Sequence, residues 1–301
     1  MFDVIIIGGG PAGLTAALYS ARYKIKTCVI TDVVGGVTIE SFKICNYPGF
    51  VEANGMELMK HFEEQVKELN VPINKEKILS ISKNNSGFIV KTKEESYESK
   101  VIVIATGTVR RKLNIPGEDE FLGKGISYCA TCDAAFFTDK NVVVVGGSYA
   151  AVHAALLLAE YAKKITIVYR KSALRAEPIE VERVANHEKI DIIFDANIKE
   201  IKGDNFVTKI ILDDSQEIET EGVFIEIGST PMADITNELG VELDDEGYIK
   251  VDDSQKTTAD GIYAAGDVTT GSNKLRQIVT AASEGAIAAT STYDYLKKNV
   301  N

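Results

Sequence analysis

The chain has 301 residues, of which 45% are hydrophobic and 26% charged, enough apolar material for two ordinary domains with their own cores. An excess of 44 acidic over 33 basic residues gives a net charge of -11, which argues against nucleic acid or an anionic membrane as the main partner. Apolar runs such as Ile5-Ile6-Ile7 are strand-length, far short of a bilayer span, and the start MFDVIIIGGG has neither a basic leader nor a cleavage site, so a cytoplasmic protein is expected.

Residues 2 to 32 read as a βαβ unit: a strand from Phe2 to Ile7, a glycine turn, a helix through Leu14, Ala17, Leu18 and Ala21, and a strand from Thr27 to a tip at Thr31. The turn Gly8-Gly9-Gly10-Pro11-Ala12-Gly13 is a G-x-G-x-x-G. In it Gly8 permits the tight turn, Gly10 lets the backbone approach a pyrophosphate, and Gly13 lets helix and strand pack closely. The phosphates of a dinucleotide would rest on the helix start, where free N–H groups and the helix dipole favour negative charge. Asp32 follows Gly13 by 19 positions, near the place where a ribose hydroxyl is bound.

An amphipathic helix is expected from Gly55 to Leu69, by the spacing of Leu58, Met59, Phe62 and Val66, with alternating strands around 87 to 92. The strand Val101 to Ala105 ends in Thr106-Gly107, small and polar residues where a cofactor would lie. Next comes Ser127-Tyr128-Cys129-Ala130-Thr131-Cys132-Asp133, which sets two of the four cysteines in C-x-x-C spacing with a carboxylate after them. In a reducing compartment such a pair suits metal binding or redox catalysis better than a disulfide framework.

A shift of 138 positions brings the first unit back without a gap. Val142 to Val145, Gly146-Gly147-Ser148-Tyr149-Ala150-Ala151, Leu156, and Ile165 to Tyr169 fall on matching positions. Where the first copy has Asp32, the second has Arg170, then Lys171 and Arg175, and cations there suit a 2'-phosphate, hence NADPH. The plainer reading of these three is a solvated basic face. Short strands follow between 190 and 227. The strand Ile262 to Ala265 then ends in Gly266-Asp267, whose carboxylate could accept from a ribityl chain. A last helix begins near Arg276-Gln277 and presents Leu275, Ile278, Ala282, Ala286 and Ala289 on one side.

Two dinucleotide units, one carrying a C-x-x-C, bring a family into view. The chain resembles the low-molecular-weight, bacterial and archaeal type of thioredoxin reductase, FAD-dependent pyridine nucleotide-disulfide oxidoreductases. GGGPAG, NYPGF at 46 to 50, ATG at 105 to 107, SYCATCD, RKSALR at 170 to 175, AAGD at 264 to 267 and RQIVTAA at 276 to 282 carry the likeness from end to end. The resemblance implies an α/β fold of two Rossmann-like domains with three-layer ββα architecture, the second inserted in the first. Residues 1–113 and 244–301 would form the FAD domain and 114–243 the NADPH domain, in a homodimer whose domains rotate during turnover. It also implies that Gly35, Gly36 and Asn46 lie near the flavin.

On this resemblance Cys132 accepts electrons from reduced FAD and forms the thiolate charge-transfer complex, Cys129 attacks the disulfide of thioredoxin or a thioredoxin-like protein, and Asp133 manages the proton. Zinc would need further ligands, and the remaining Cys28, Cys45, His61, His153 and His187 are isolated; a structural staple across so short a loop would constrain little. Cys28 reads as a core residue, and Cys45 either as another or as a third thiol near the flavin. His153 reads as packed on an apolar helix face.

Departures from the family pattern bear on the electron donor. Ser148 takes the second glycine position of the NADPH turn, where a side chain costs room, with Tyr149 beside it. Tyr169-Arg170-Lys171 stands for a usual His-Arg-Arg, and Val37 for a glutamine near the flavin. NADPH is the favoured donor, and ferredoxin the alternative. Two further alternatives are a dithiol oxidase and a redox-sensing flavoprotein without turnover.

Overall fold

The computed structural model describes residues 1–41, 44 and 46–299; Cys45, and any role for it as a third thiol, lies outside the described residues. The chain forms two compact units, Met1–Val109 with Thr230–Asn301, and Arg110–Ser229, so the second interrupts the first.

In chain order the first segment holds β1 (Phe2–Gly9), α1 (Pro11–Arg22), β2 (Thr27–Val34), α2 (Gly55–Glu68), β3 (Ile73–Lys75), β4 (Ile78–Asn84), β5 (Gly87–Thr92), β6 (Ser96–Ile104) and the crossing strand β7 (Thr108–Arg110). The inserted unit adds β8 (Ile126–Ser127), α3 (Ala130–Asp133), β9 (Asn141–Val145), α4 (Tyr149–Leu158), β10 (Lys164–Val168), α5 (Pro178–Ala185), β11 (Ile190–Ile193), β12 (Ile198–Gly203), β13 (Val207–Leu212), β14 (Glu217–Glu219) and β15 (Gly222–Ile225). The chain returns through β16 (Ser229–Pro231), which pairs with β7, and ends with β17 (Ile262–Ala264) and α6 (Ile278–Asn299).

Both units sandwich a parallel sheet between helices and an antiparallel meander, because strand side chains alternate between faces. In the first unit Val4, Ile6, Val101 and Val103 face α1 and α6. Their neighbours Ile5, Ile7, Ile102 and Ile104 face Ile81, Phe88 and Val90 of the meander β4-β5. In the second, Val142, Val144, Ile165 and Ile167 pack under α4, while Val143, Val145 and Val168 pack on Ile198, Ile201, Ile210 and Leu212. The second sheet runs β11-β10-β9-β15-β8, all parallel, and its order reverses between β9 and β15. This three-layer α/β architecture, built twice, is that of two dinucleotide-binding units.

Several expectations shift. Ala233 and Leu239 belong to the core of the first unit with Ile5 and Ile7, so the return comes at Thr230, before 244. Strand β2 does not stop at Thr31: after a bulge it pairs Val34 with Gly9, and the β-branched Val33 and Val34 extend it. The buried side of α6 carries Ala281, Gly285, Ala288 and Ala289, so of the expected stripe of Leu275, Ile278, Ala282, Ala286 and Ala289 only Ala289 is fully buried. An alanine-rich helix leaves its period ambiguous, and here Gly285 decides it, since a Cβ there would come 2.2 Å from the Ala12 carbonyl oxygen of α1. His153 is exposed, its ring tilted against that of Tyr149 at 4.1 Å and 3.9 Å from Glu180, because Ala151, Val152, Ala154, Ala155 and Leu158 form the buried side of α4.

Candidate functional site

In the first unit the glycine turn makes a cradle. Gly8 has φ +112° and a Cβ on it would strike Ala105; one on Gly13 would come 1.9 Å from the Gly8 carbonyl oxygen. Over Gly10 a Cβ would meet nothing within 4 Å, which leaves open space above the turn. Gly10 caps α1, and Pro11, which has no N–H, opens its first turn, so the unpaired helix-start donors begin at Ala12. Gly35 and Gly36 both have positive φ, and the Gly35 amide bonds to the Gly9 carbonyl at 2.7 Å, which seats this second glycine pair against the first.

Thr31 is buried and donates its hydroxyl to the Val33 carbonyl at 2.9 Å, whereas Asp32 is exposed. Thr106 donates to the Met232 carbonyl at 2.7 Å, and Gly107 follows with φ +68°. At the end of β17, the Gly266 amide donates to the buried Glu284 at 2.7 Å, which holds the turn that presents Asp267. Asn46 donates to Gln277 at 3.1 Å. Arg276 stacks 4.1 Å from the Tyr248 ring, and its Nε and Nη2 are buried without a hydrogen-bond partner among the described residues. Two such donors, open space over Gly10 and a carboxylate at Asp267 fit the phosphates and hydroxyls of FAD.

The second turn repeats the design. Gly146 has φ +140°, and a Cβ on Gly147 would lie 2.2 Å from the Tyr169 ring. Ser148 caps α4 without a side-chain bond to the helix. The Arg175 amide donates to the Gly147 carbonyl at 2.6 Å and pairs with Ser148, which docks the basic loop on the turn. Arg170, Lys171 and Arg175 are all exposed, and among the described residues none of them enters an ion pair. The backbone thus sets Arg175 beside Ser148 at the glycine turn, with Arg170 and Lys171 earlier in the same exposed loop.

The sulfurs of Cys129 and Cys132 are joined, with their Cα atoms 5.3 Å apart. Cys129 caps the short helix α3, and the Cys132 amide donates to its Sγ at 3.2 Å. Asp133 accepts from the Ser127 hydroxyl at 2.6 Å, and Ser127 Oγ accepts from the Cys129 amide at 3.0 Å, so one serine ties the carboxyl to the redox turn. Burial pushes the Asp133 carboxyl above its ordinary range, against the Ser127 hydrogen bond and the Arg110 charge. Arg110 also donates to the Tyr128 carbonyl at 2.5 Å. Tyr128 turns its hydroxyl onto Glu118 at 2.6 Å, and Phe137 packs against Phe224, so neither faces the sulfurs as a chemical group.

Cys28 is buried, its thiol pushed up to about 12 by burial and by Glu76. No group of three or more His, Cys, Asp or Glu among the described residues could hold a metal ion. The sequence reading missed Ser127 as a link, Arg110 and Tyr248. Ser127 stood inside the motif, but the other two reach their sites only through tertiary contacts.

Residues 2–285 match the family Pyridine nucleotide-disulphide oxidoreductase. The thioredoxin reductase of Peptoclostridium acidaminophilum is 41% identical, over 99% of this chain and 98% of that one. The thioredoxin reductase of Bacillus subtilis is 38% identical, over 99% and 96%. Among solved structures, that of the Streptococcus pyogenes thioredoxin reductase superposes with a TM-score of 0.92 at 39% identity, covering 99% of each chain. The chain therefore belongs to the pyridine nucleotide-disulphide oxidoreductase family, as an oxidoreductase with FAD and NADPH for its cofactors.

Proposed function

We propose that the protein is a thioredoxin reductase, which draws electrons from NADPH through FAD and delivers them by Cys132 and Cys129 to the disulfide of thioredoxin or a close relative. The observation that carries this reading is the Cys129–Cys132 disulfide with its adjoining Asp133 in a chain that matches thioredoxin reductases along their whole length. FAD, when bound, supplies the electron pair for the disulfide, and NADPH the hydride that replenishes it.

The chain's own residues manage the rest. Opening the S–S bond to a dithiol takes up two electrons and two protons. Asp133, which burial keeps protonated to a higher pH than an ordinary carboxyl, can hold one of these protons beside the sulfurs. The Cys132 amide directed at Cys129 Sγ stabilises a thiolate there, which suits Cys129 to attack the partner's disulfide. That attack forms a mixed disulfide and releases one partner thiol. Cys132 then attacks Cys129 Sγ, restores the original disulfide and releases the second, so the electron pair ends on the partner.

Arg170, Lys171 and Arg175 bind the 2'-phosphate of NADPH in this reading, and the Ser148 hydroxyl donates to the pyrophosphate where a glycine would merely make room. The chain crosses between its units twice, a slender tether of the kind a domain rotation needs. The homodimer is supported by an open groove of the first unit lined by Leu14, Leu18, Tyr19, Phe50 and Val279, apolar surface that a second copy would cover. Cycling thiols belong in the cytoplasm, where they are kept reduced.

The test is an anaerobic titration of the flavin-loaded protein with NADPH and, separately, NADH. Stoichiometric flavin bleaching by NADPH, followed by turnover of thioredoxin disulfide, is the expected result. Bleaching by dithionite but not by NADPH would overturn the donor and direct the search to ferredoxin.

A further inference from the structure

The parallel neighbours of β15 fix the place of Glu226. Val223 lies opposite Ile126 and Phe224 opposite Ser127, the last pair, so Glu226 follows two residues after the pairing on one strand as Cys129 does on the other. On the other flank Ile225 lies opposite Val145, which sets Glu226 level with Gly146. The backbone bears out the second alignment: the Glu226 amide donates to the Val145 carbonyl at 2.8 Å, and a Cβ on Gly146 would come 2.3 Å from the Glu226 carbonyl oxygen. The side chain points the same way, because the Ala130 amide, inside the C-x-x-C turn, is near enough to its carboxylate to favour the ionised form. Glu226 thus stands at the carboxyl end of β15, where the strand order reverses and dinucleotides bind.

We propose that Glu226 is a positioning residue for the redox pair: between the glycine turn and the Cys129–Cys132 turn, its ionised carboxylate restrains thiolate formation and its protonation releases it. This rests on the reading of Cys129 and Cys132 as the redox pair. The ionised carboxylate places a like charge at the turn and occupies an amide that would otherwise help to stabilise a sulfur anion. Arg110 is the charge that acts on Glu226, and it is shared with Asp133, itself bonded to Ser127. Neither the rest of β15 nor the turn from Gly146 to Ala151 brings another charged side chain. Burial outweighs Arg110 and raises the carboxyl to about 7, so its charge changes in the range where thiols are activated.

The experiment reduces the holoprotein with a small dithiol, removes it, and follows iodoacetamide alkylation from pH 5 to 9 by mass spectrometry of the peptide that carries both cysteines. In Glu226→Gln the thiolate midpoint should fall by about 0.5–1 pH unit, with alkylation near pH 8 up to roughly 3–10 times faster and the two profiles converging by pH 6, where the wild-type carboxyl already carries its proton. Glu226→Ala should shift the midpoint the same way, which separates charge from shape and serves if the first variant does not fold. A midpoint unchanged or raised in a folded variant overturns the proposal alone. A wild-type pair that the dithiol cannot open overturns the redox reading and the proposal together.

Discussion

Asp133 and Glu226 are both carboxyl groups that burial holds above their usual range, yet their attachments differ. Asp133 is tied to the cysteine backbone through Ser127, so its proton sits where the disulfide opens. Asp133→Asn keeps the shape and removes the exchangeable proton, and should slow thioredoxin reduction about 10²–10³-fold with flavin content unchanged, read as kcat in a coupled assay. Glu226 also leaves a mark on stability. Its folded-state pKa of about 7 exceeds the ordinary 4.5, so between these values the folded chain binds the extra proton. Its contribution therefore turns unfavourable as pH rises through that window and reaches its full cost above 7. Relative to Glu226→Gln, the wild-type Tm should fall from pH 5 to pH 8; parallel profiles would contradict this.

Loops and turns decide what each element can hold. A Cβ on Gly147 would enter the buried Tyr169 ring, so Gly147→Ala should cost about 1–3 kcal/mol in urea unfolding and weaken NADPH binding, while flavin content stays. Arg175 is docked on the same turn by its own backbone, and Arg170 begins the loop that leads to it. Replacing both by alanine should raise KM for NADPH by about 10–100-fold with little change in kcat or in the response to NADH.

Both glycine turns and the C-x-x-C-Asp run were legible because each is a short contiguous pattern whose geometry is local. Thr106 and Asp267 were legible as strand ends. The direction of α6 was not, since its alanines and glycine look alike until Ala12 approaches Gly285. Glu226 was not legible either, because only the pairing of β15 with β8 and β9 brings it beside the cysteines.

The whole molecule is two copies of one architecture joined by two crossings. Its first unit leaves Tyr19, Phe50, Val51 and Met56 exposed, more apolar surface than a solitary unit profits from. Light scattering should give a mass near twice 32.7 kDa, and Tyr19→Glu with Met56→Glu should shift it toward the monomer. A monomer in the wild type would show that this surface serves another purpose.

The packing of α1 against α6 joins the two ends of the sequence around the flavin cradle. A ribosome makes α1 well before α6, and the inserted unit emerges between them with its own sheet and core. Synthesis thus has a fixed order: the inserted unit can close while the first unit waits, and flavin capture is held back until Arg276 and α6 have emerged.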